Sequence, residues 1–226
     1  KIIHHYQRPL LVDEAHGPHF YFHDDLPPGA LTLGADACAQ GAHKTLCSLT
    51  QSSWLHVQGS RVDREQLRAT YPLMASLDLA RRQMVLEGQA ILEQTIERAE
   101  KLRRGLKALP GLAVFDQELC NSAAAIALDP TKVTVNVRRL GLTGQQVEQY
   151  LRYEHKIQVE LSDLYNVLFM VGPGNNDNDV SALLTAFGQL VAQYRGKKPS
   201  VATAPLPPLP CQIMTPREAF FATAES

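Results

Sequence analysis

The sequence predicts an α/β chain in which two sheet-bearing parts are joined by one long helix, and three observations carry that expectation. Two short apolar runs near the start end in reactive side chains: Leu10-Leu11-Val12 leads to Asp13, and Ala35 to Ala39 leads through Gln40-Gly41-Ala42 to His43-Lys44. Runs of this kind place polar groups at the C-terminal edge of a sheet, where open α/β folds bind ligands. From Pro72 to Leu109 there is no internal Pro and the apolar residues recur at helical spacing. Beyond Pro110-Gly111, strand-like and helix-like segments alternate around a smaller sheet, the pattern of an α+β domain.

Taken in order, residues 10–13 read as a buried strand, followed by a loop punctuated by Gly17, Pro18, Pro27, Pro28 and Gly29. A second strand is expected over Asp36–Gln40 and a third over Trp54–Gln58, closed by Gly59. The helix presents Leu77, Ala80, Met84, Ile91, Leu92, Ile96, Ala99, Leu102 and Leu106. At about 1.5 Å per residue it is a rod of roughly 55 Å, long enough to leave one domain and enter another. Further strands are expected at Ala123–Leu128, Val133–Val137, Ile157–Glu160 and Val167–Val171. Thr143 caps a helix running to His155, and Asn176 or Asp177 caps another running to Tyr194. Residues 196–211 are Pro-rich and read as a linker or surface arm. Thr215-Pro216-Arg217-Glu218 has the form of a capping box, predicting a helix from Glu218 that is cut off at Ser226.

Composition narrows the function. The 226 residues are 45% hydrophobic and 20% charged, ordinary for a globular chain with a core. Lys+Arg 22 against Asp+Glu 23 leaves a net charge of -1, so no polybasic surface for nucleic acid or anionic membrane is expected. Small molecules are the expected partners. Cys38, Cys47, Cys120 and Cys211 are scattered, without disulfide or zinc spacing, which fits a reducing cytoplasm. No run approaches the roughly 18 apolar residues of a membrane span, and no signal peptide opens the chain. It starts at Lys1 and reads as a fragment with its upstream part missing.

Several residues carry potential chemistry. Asp13 reads as a structural acid, a magnesium ligand of the Walker-B type or the partner of a cofactor. The tetrapeptide Asp13-Glu14-Ala15-His16 invites the ATPase reading, but no GxxxxGK[ST] loop accompanies it. His16, His19 and His23 have the spacing of metal ligands only on a helix, which Gly17, Pro18 and Pro27 oppose; a solvated loop is expected and no metal. Lys44 is either a surface lysine or a nucleophile. Its position after a short strand, with His43 beside it and Gly41-Ala42 before it, favours an amine that forms a Schiff base.

The segments Leu11-Val12-Asp13-Glu14-Ala15-His16-Gly17-Pro18-His19-Phe20, His43-Lys44-Thr45-Leu46, Leu49-Thr50-Gln51-Ser52-Ser53 and Leu73-Met74-Ala75-Ser76-Leu77-Asp78 closely resemble the Orn/Lys/Arg decarboxylase family. The likeness continues through Leu140-Gly141-Leu142-Thr143-Gly144, Val159-Glu160-Leu161-Ser162-Asp163 and Pro216-Arg217-Glu218-Ala219-Phe220-Phe221, so it spans nearly the whole chain. It is greatest to the shorter bacterial members. The resemblance implies a fold type I pyridoxal phosphate enzyme, transferase-like, that decarboxylates arginine, lysine or ornithine in polyamine synthesis. It implies Lys44 as the Schiff-base lysine and Asp13 as the carboxylate holding the pyridine nitrogen. His16 is expected near the cofactor, and His43 beside the lysine as an aid to proton return. Glu160 and Asp163 are the candidate anions for the far end of a basic substrate.

The implied organisation is a partial cofactor domain with a parallel-rich sheet (1–72), a connecting helix (73–109), a small α+β domain (110–195), and a linker opening a truncated C-terminal domain (196–226). A homodimer or higher assembly is implied. The sequence also departs from the family. Gly41 stands where a phosphate-binding Ser is common, leaving only a backbone N–H to donate. About a dozen residues of a phosphate-reaching segment are missing before Tyr71, judged from the length such a connection needs. The absent upstream strands are expected to leave an apolar sheet edge unpaired. Two alternatives stay open: a catalytically silent or regulatory relic of the family, and another fold type I transferase or lyase.

Overall fold

A computed structural model describes residues 2–62, 71–121, 127–194, 208 and 211–222. Among them the chain forms a short helix α1 (Ile2–His5) and then a three-stranded sheet of β1 (Leu11–Asp13), β2 (Ala37–Gln40) and β3 (Trp54–Val57), in the order β1-β2-β3. β1 runs parallel to β2 with Asp13 opposite Ala39, and β3 runs antiparallel to β2. The one-turn helix α2 (Ala42–Thr45) follows β2 directly. Both outer strands are edges: Leu11 is 65% and Leu55 54% exposed. The strand expected to be buried at 10–13 is therefore only half so, because it has a neighbour on one side alone. Its Val12 packs on Ala30, Ala35 and Cys38.

The long helix α3 spans Tyr71–Lys107 and serves two cores. Met84 and Leu92 pack with Leu26 and Leu46 under the first sheet, flanked by Phe22, Trp54 and Ile96. Ala99, Leu102 and Leu106 enter the core of the second part. The change of allegiance falls between Ile96 and Ala99, within a single helical turn.

The second sheet contains β4 (Ala113–Val114), β5 (Lys132–Asn136), β6 (Leu161–Ser162) and β7 (Asn166–Met170), in the order β4-β5-β7-β6 and antiparallel throughout. Side chains alternate across it, so Val133, Val135, Val167 and Phe169 face inward. Helices α4 (Gly144–Glu154) and α5 (Asp177–Tyr194) cover that face with Val147, Leu151, Phe187 and Leu190. Thr143 caps α4 in a full capping box with Gln146. Gly144 is required there, since a Cβ would stand 2.2 Å from the Asn166 carbonyl oxygen and 2.4 Å from that of Asp163.

Three sequence expectations change. No strand forms over Ile157–Glu160: the Ile157 N–H closes the end of α4 on the Leu151 carbonyl, and the first bond to β7 comes only from the Glu160 N–H to the Leu168 carbonyl, with the strand itself starting at Leu161. Of the strand expected at Ala123–Leu128, residues 123–126 lie outside the described residues and Ala127 and Leu128 are not in a strand. The last helix, α6, is Pro216–Phe221 rather than one starting at Glu218, because Thr215 is the N-cap and Glu218 the third helical residue of the box. The linker at 196–211 lies outside the described residues except at Pro208 and Cys211, as does the shortened segment at 63–70.

Arg103 on α3 is 1% exposed. Its guanidinium donates to the carbonyls of Pro130 (3.1 Å) and Lys132 (3.0 Å) and to the Glu100 carboxylate. It thereby ties the start of β5 to the helix. Arg103→Met leaves those carbonyls without their donor and is expected to destabilise the fold by about 2–5 kcal/mol. Glu100→Gln, at a partly exposed partner, is expected to lose only about 0–1 kcal/mol. Urea unfolding, read as a shift in midpoint at constant slope, checks both.

Candidate active site

β1 and β2 end side by side, and their continuations build an open cleft of about 570 Å³ whose walls include Asp13, His16, Phe20, Lys44, Asp129 and Lys132. Asp13 is the last residue of β1; one carboxylate oxygen accepts the Ala15 N–H at 3.1 Å. Lys44 lies on α2, which leaves the end of β2 through Gly41. The parallel pair thus delivers an acid and an amine to one cleft.

His16 sits between cations. Burial lowers its pKa first, and Lys132, Lys44 and His19 lower it further against the opposing charge of Glu160. Its imidazole is neutral at pH 7. Glu160 itself stands exposed on a bend instead of a strand end and is not among the cleft's wall residues; only its charge is felt at His16.

Other expected site residues are placed elsewhere. His43 is one residue from Lys44 on a helix, about 100° around the axis, and lies outside the cleft walls. Its Nδ1 is 2.7 Å from the Ser52 carbonyl oxygen and is thereby fixed as the donor. Asp163 accepts the N–H groups of Tyr165 (2.8 Å) and Asn166 (2.7 Å) and binds the Asn166 side chain, so it pins the β6–β7 turn and does not line the cleft. Those donors hold its carboxyl below the usual range, the Asn166 side chain foremost. Gly41 does not offer its N–H either: it donates to the Ala15 carbonyl at 3.1 Å. A Cβ at Gly41 would lie 3.0 Å from that same oxygen and 3.0 Å from the Lys44 side chain.

The histidines do not form one cluster. Residues 18–22 make a 3-10 turn where an irregular loop was expected, with Pro18 at its start. His19 turns inward and its Nε2 meets Asp129 at 3.1 Å, while His23 Nδ1 accepts the Asp25 N–H. Among the described residues no group of His, Cys, Asp and Glu could hold a metal ion.

Asp129 and Lys132 were not found by sequence reasoning. Asp129 also accepts the Thr131 N–H (2.9 Å) and hydroxyl (2.7 Å), and Lys132 Nζ stands 3.4 Å from it. Burial alone would raise its pKa, but His19, Lys132 and Thr131 outweigh that and hold the carboxyl well below the usual carboxylate range. No local signal announces a pair 110 residues apart. The Asp129-Pro130-Thr131-Lys132 turn, a strand start rich in polar groups, is the only hint in the sequence.

The profile of the Orn/Lys/Arg decarboxylase family, major domain, matches residues 1–179. The chain belongs to this family. It is 39% identical to an arginine decarboxylase of Bacillus cereus over 237 aligned residues, which covers 100% of this chain and 52% of the relative. An arginine decarboxylase of Bacillus subtilis is likewise 39% identical, with 48% of its length covered. The chain thus spans about half the length of these relatives. Among solved structures, a lysine decarboxylase of Francisella novicida superposes with a TM-score of 0.68 at 22% identity, over 82% of this chain and 32% of that one. An alanine–glyoxylate aminotransferase of a Nostoc species gives 0.59 at 19% identity, over 84% and 55%. The fold is therefore that of the fold type I enzymes. The family match covers the cleft, the long helix and the second sheet alike.

Because the Asp129 carboxyl is held low, its contribution to stability is complete above the unfolded value of about 4 and is lost as pH falls below it. Asp36 behaves in the same way: the Leu10 N–H, with Arg61 and His4, brings it down to about 2 against burial. Asp129→Asn is expected to destabilise the chain at pH 7 and to reduce, without abolishing, the loss of stability between about pH 5 and pH 3. Thermal melts of both proteins across that range check the slope.

Proposed function

We propose that this chain supplies the lysine and acid of a pyridoxal-phosphate-dependent site that decarboxylates a basic amino acid. The observation that carries the reading is the convergence of Asp13 and Lys44 on one cleft at the ends of two parallel strands, in a member of the Orn/Lys/Arg decarboxylase family. The residues suit the reactive part of the cofactor: an amine for its aldehyde and a carboxylate with an oxygen left for its pyridine nitrogen. Bound there, pyridoxal phosphate supplies an electron-accepting ring that stabilises the charge left at Cα when CO2 departs.

The chain's own groups divide the remaining work. Lys44 presents the amine that captures the cofactor and is exchanged for that of the substrate. Asp13 keeps the ring nitrogen protonated through a charge-assisted hydrogen bond. His16, whose neutral form is favoured, stands in the cleft able to accept a proton, a role His43, bound to the Ser52 carbonyl away from the cleft, is less suited to. Glu160 is the anion offered to the far cation of arginine, lysine or ornithine; Asp163 is already committed to its turn. A product of the polyamine type follows. Leu79, Val85 and Leu86, exposed on the first half of α3, are surfaces for a second copy of the chain. No helix among the described residues is long and apolar enough to cross a membrane, and the four cysteines are free; both suit a cytoplasmic enzyme.

The commitment of the Gly41 N–H to Ala15 favours a second reading, a catalytically silent member of the family, because it removes a donor for the cofactor phosphate. One experiment separates them. Mixed with pyridoxal phosphate, the protein is expected to show the absorbance change of covalent capture, and borohydride reduction is expected to fix the cofactor mass on the Lys44 peptide. Lys44→Ala abolishes both. Asp13→Asn weakens capture about tenfold or more, the loss of a hydrogen bond to a charged group. No Lys44-dependent capture at saturating cofactor establishes the silent reading instead.

A further inference from the structure

The cleft contains a second lysine to which none of these roles belongs. Lys132 opens β5, opposite Met170 of β7, and its side chain is only 18% exposed. It borders the open cleft together with Lys44, and the two also border a small adjoining cavity of about 20 Å³ whose wall includes Thr45 and Thr131. Among the cleft's described wall residues, these two are the only lysines or arginines.

The ammonium of Lys132 is held in place but poorly satisfied. Among the described residues its contacts are Asp129 at 3.4 Å and the Thr131 hydroxyl at 3.5 Å, both longer than a well-formed hydrogen bond of about 2.7–3.2 Å. An ammonium has three donors. Asp129, its nearest counter-charge, spends its oxygens on His19 and Thr131. Of the other acids in the cleft wall, Glu14 is bound to the Ala30 N–H at 2.7 Å and the Gln40 side chain at 2.5 Å, and Asp13 accepts the Ala15 N–H with one oxygen and makes no contact with Lys132 among the described residues. Meanwhile Arg103 fixes the backbone of Lys132 through its carbonyl. A cation rigidly based, mostly buried and short of acceptors is suited to an anionic ligand.

We propose that Lys132 is the oxyanion anchor of this cleft and takes the α-carboxylate of the amino acid that Lys44 addresses. This rests on the reading of Lys44 given above. The carboxylate is favoured because Lys132 shares both cavities with Lys44, and the Cα of an amino acid reacting at Lys44 must come to that place. Asp129 supplies the counter-charge when no carboxylate is present. A cofactor phosphate has the same oxyanion chemistry, so the test separates the two sources.

Capture of pyridoxal phosphate and of pyridoxal is measured by absorbance for the unsubstituted protein, Lys132→Gln and Lys132→Arg, with thermal melts to establish folding. Each loaded protein is then rapidly mixed with arginine, lysine or ornithine, or with the amine that each becomes without its carboxylate. Lys132→Gln is expected to leave capture of both cofactors within about twofold and to weaken the amino acids about tenfold or more, as loss of a charge-assisted contact implies, with the amines unaffected. Lys132→Arg is expected to restore part of the difference. Weakened capture of pyridoxal phosphate but not pyridoxal assigns the anchor to the phosphate and overturns the carboxylate assignment. Equal effects on amino acids and amines, or no effect on either, overturn the proposal. Absence of Lys44-dependent capture in the unsubstituted protein overturns the reading of Lys44, and this inference with it.

Discussion

The turn at Asp129 to Lys132 is the joint on which the two parts of the molecule depend. Arg103 reaches it from the long helix and binds the carbonyls of Pro130 and Lys132. His19 reaches it from the first part and binds the Asp129 carboxylate. A buried guanidinium and a mostly buried carboxylate are costly unless paired, and the Arg103 Nη2 and the Asp129 oxygens find their partners only in this turn's geometry. The geometry of the turn is therefore tightly specified, and with it the angle at which the second sheet faces the cleft.

The helix makes this joint possible. Its apolar face meets one core through Met84 and Leu92 and the other through Ala99, Leu102 and Leu106, with Ile96 at the changeover. Thr95, buried at the same level, bonds the Ile91 carbonyl and borders the small cavity beside Lys44. Packing and polar contacts act over the same turn of helix. Small rotations of α3 would thus be felt at once in both cores and at the cleft, because close-packed interiors transmit strain.

Charge then decides how the cleft behaves. Burial first, and then Lys132 and Lys44, favour the neutral form of His16, while Glu160 acts in the opposite sense from the second part. Asp129 stays ionised because three neighbours stabilise its charge more than burial penalises it. The surroundings thus push an acid and an imidazole of one cleft toward opposite charge states, the carboxylate ionised and the imidazole neutral.

The sequence by itself determined whatever rests on neighbours a few residues apart. The box at Thr143 and Gln146, the long amphipathic helix, and the two strand ends that deliver Asp13 and Lys44 are set by hydrogen bonds and periodicity within a turn or a strand. The family, and with it the fold, was legible in the motifs around those same residues. The tertiary structure decided the rest. Whether His43 or His16 faces the cleft depends on where a one-turn helix points, and Ser52 settles it. Asp163 looks like a substrate anion until its turn claims both its oxygens, and the Gly41 N–H looks free until Ala15 claims it. His19, Asp129, Arg103 and Lys132 meet across separations that no local pattern encodes. A side chain's residue type fixes which hydrogen bonds it can make, but only the assembled fold fixes which partners compete for it.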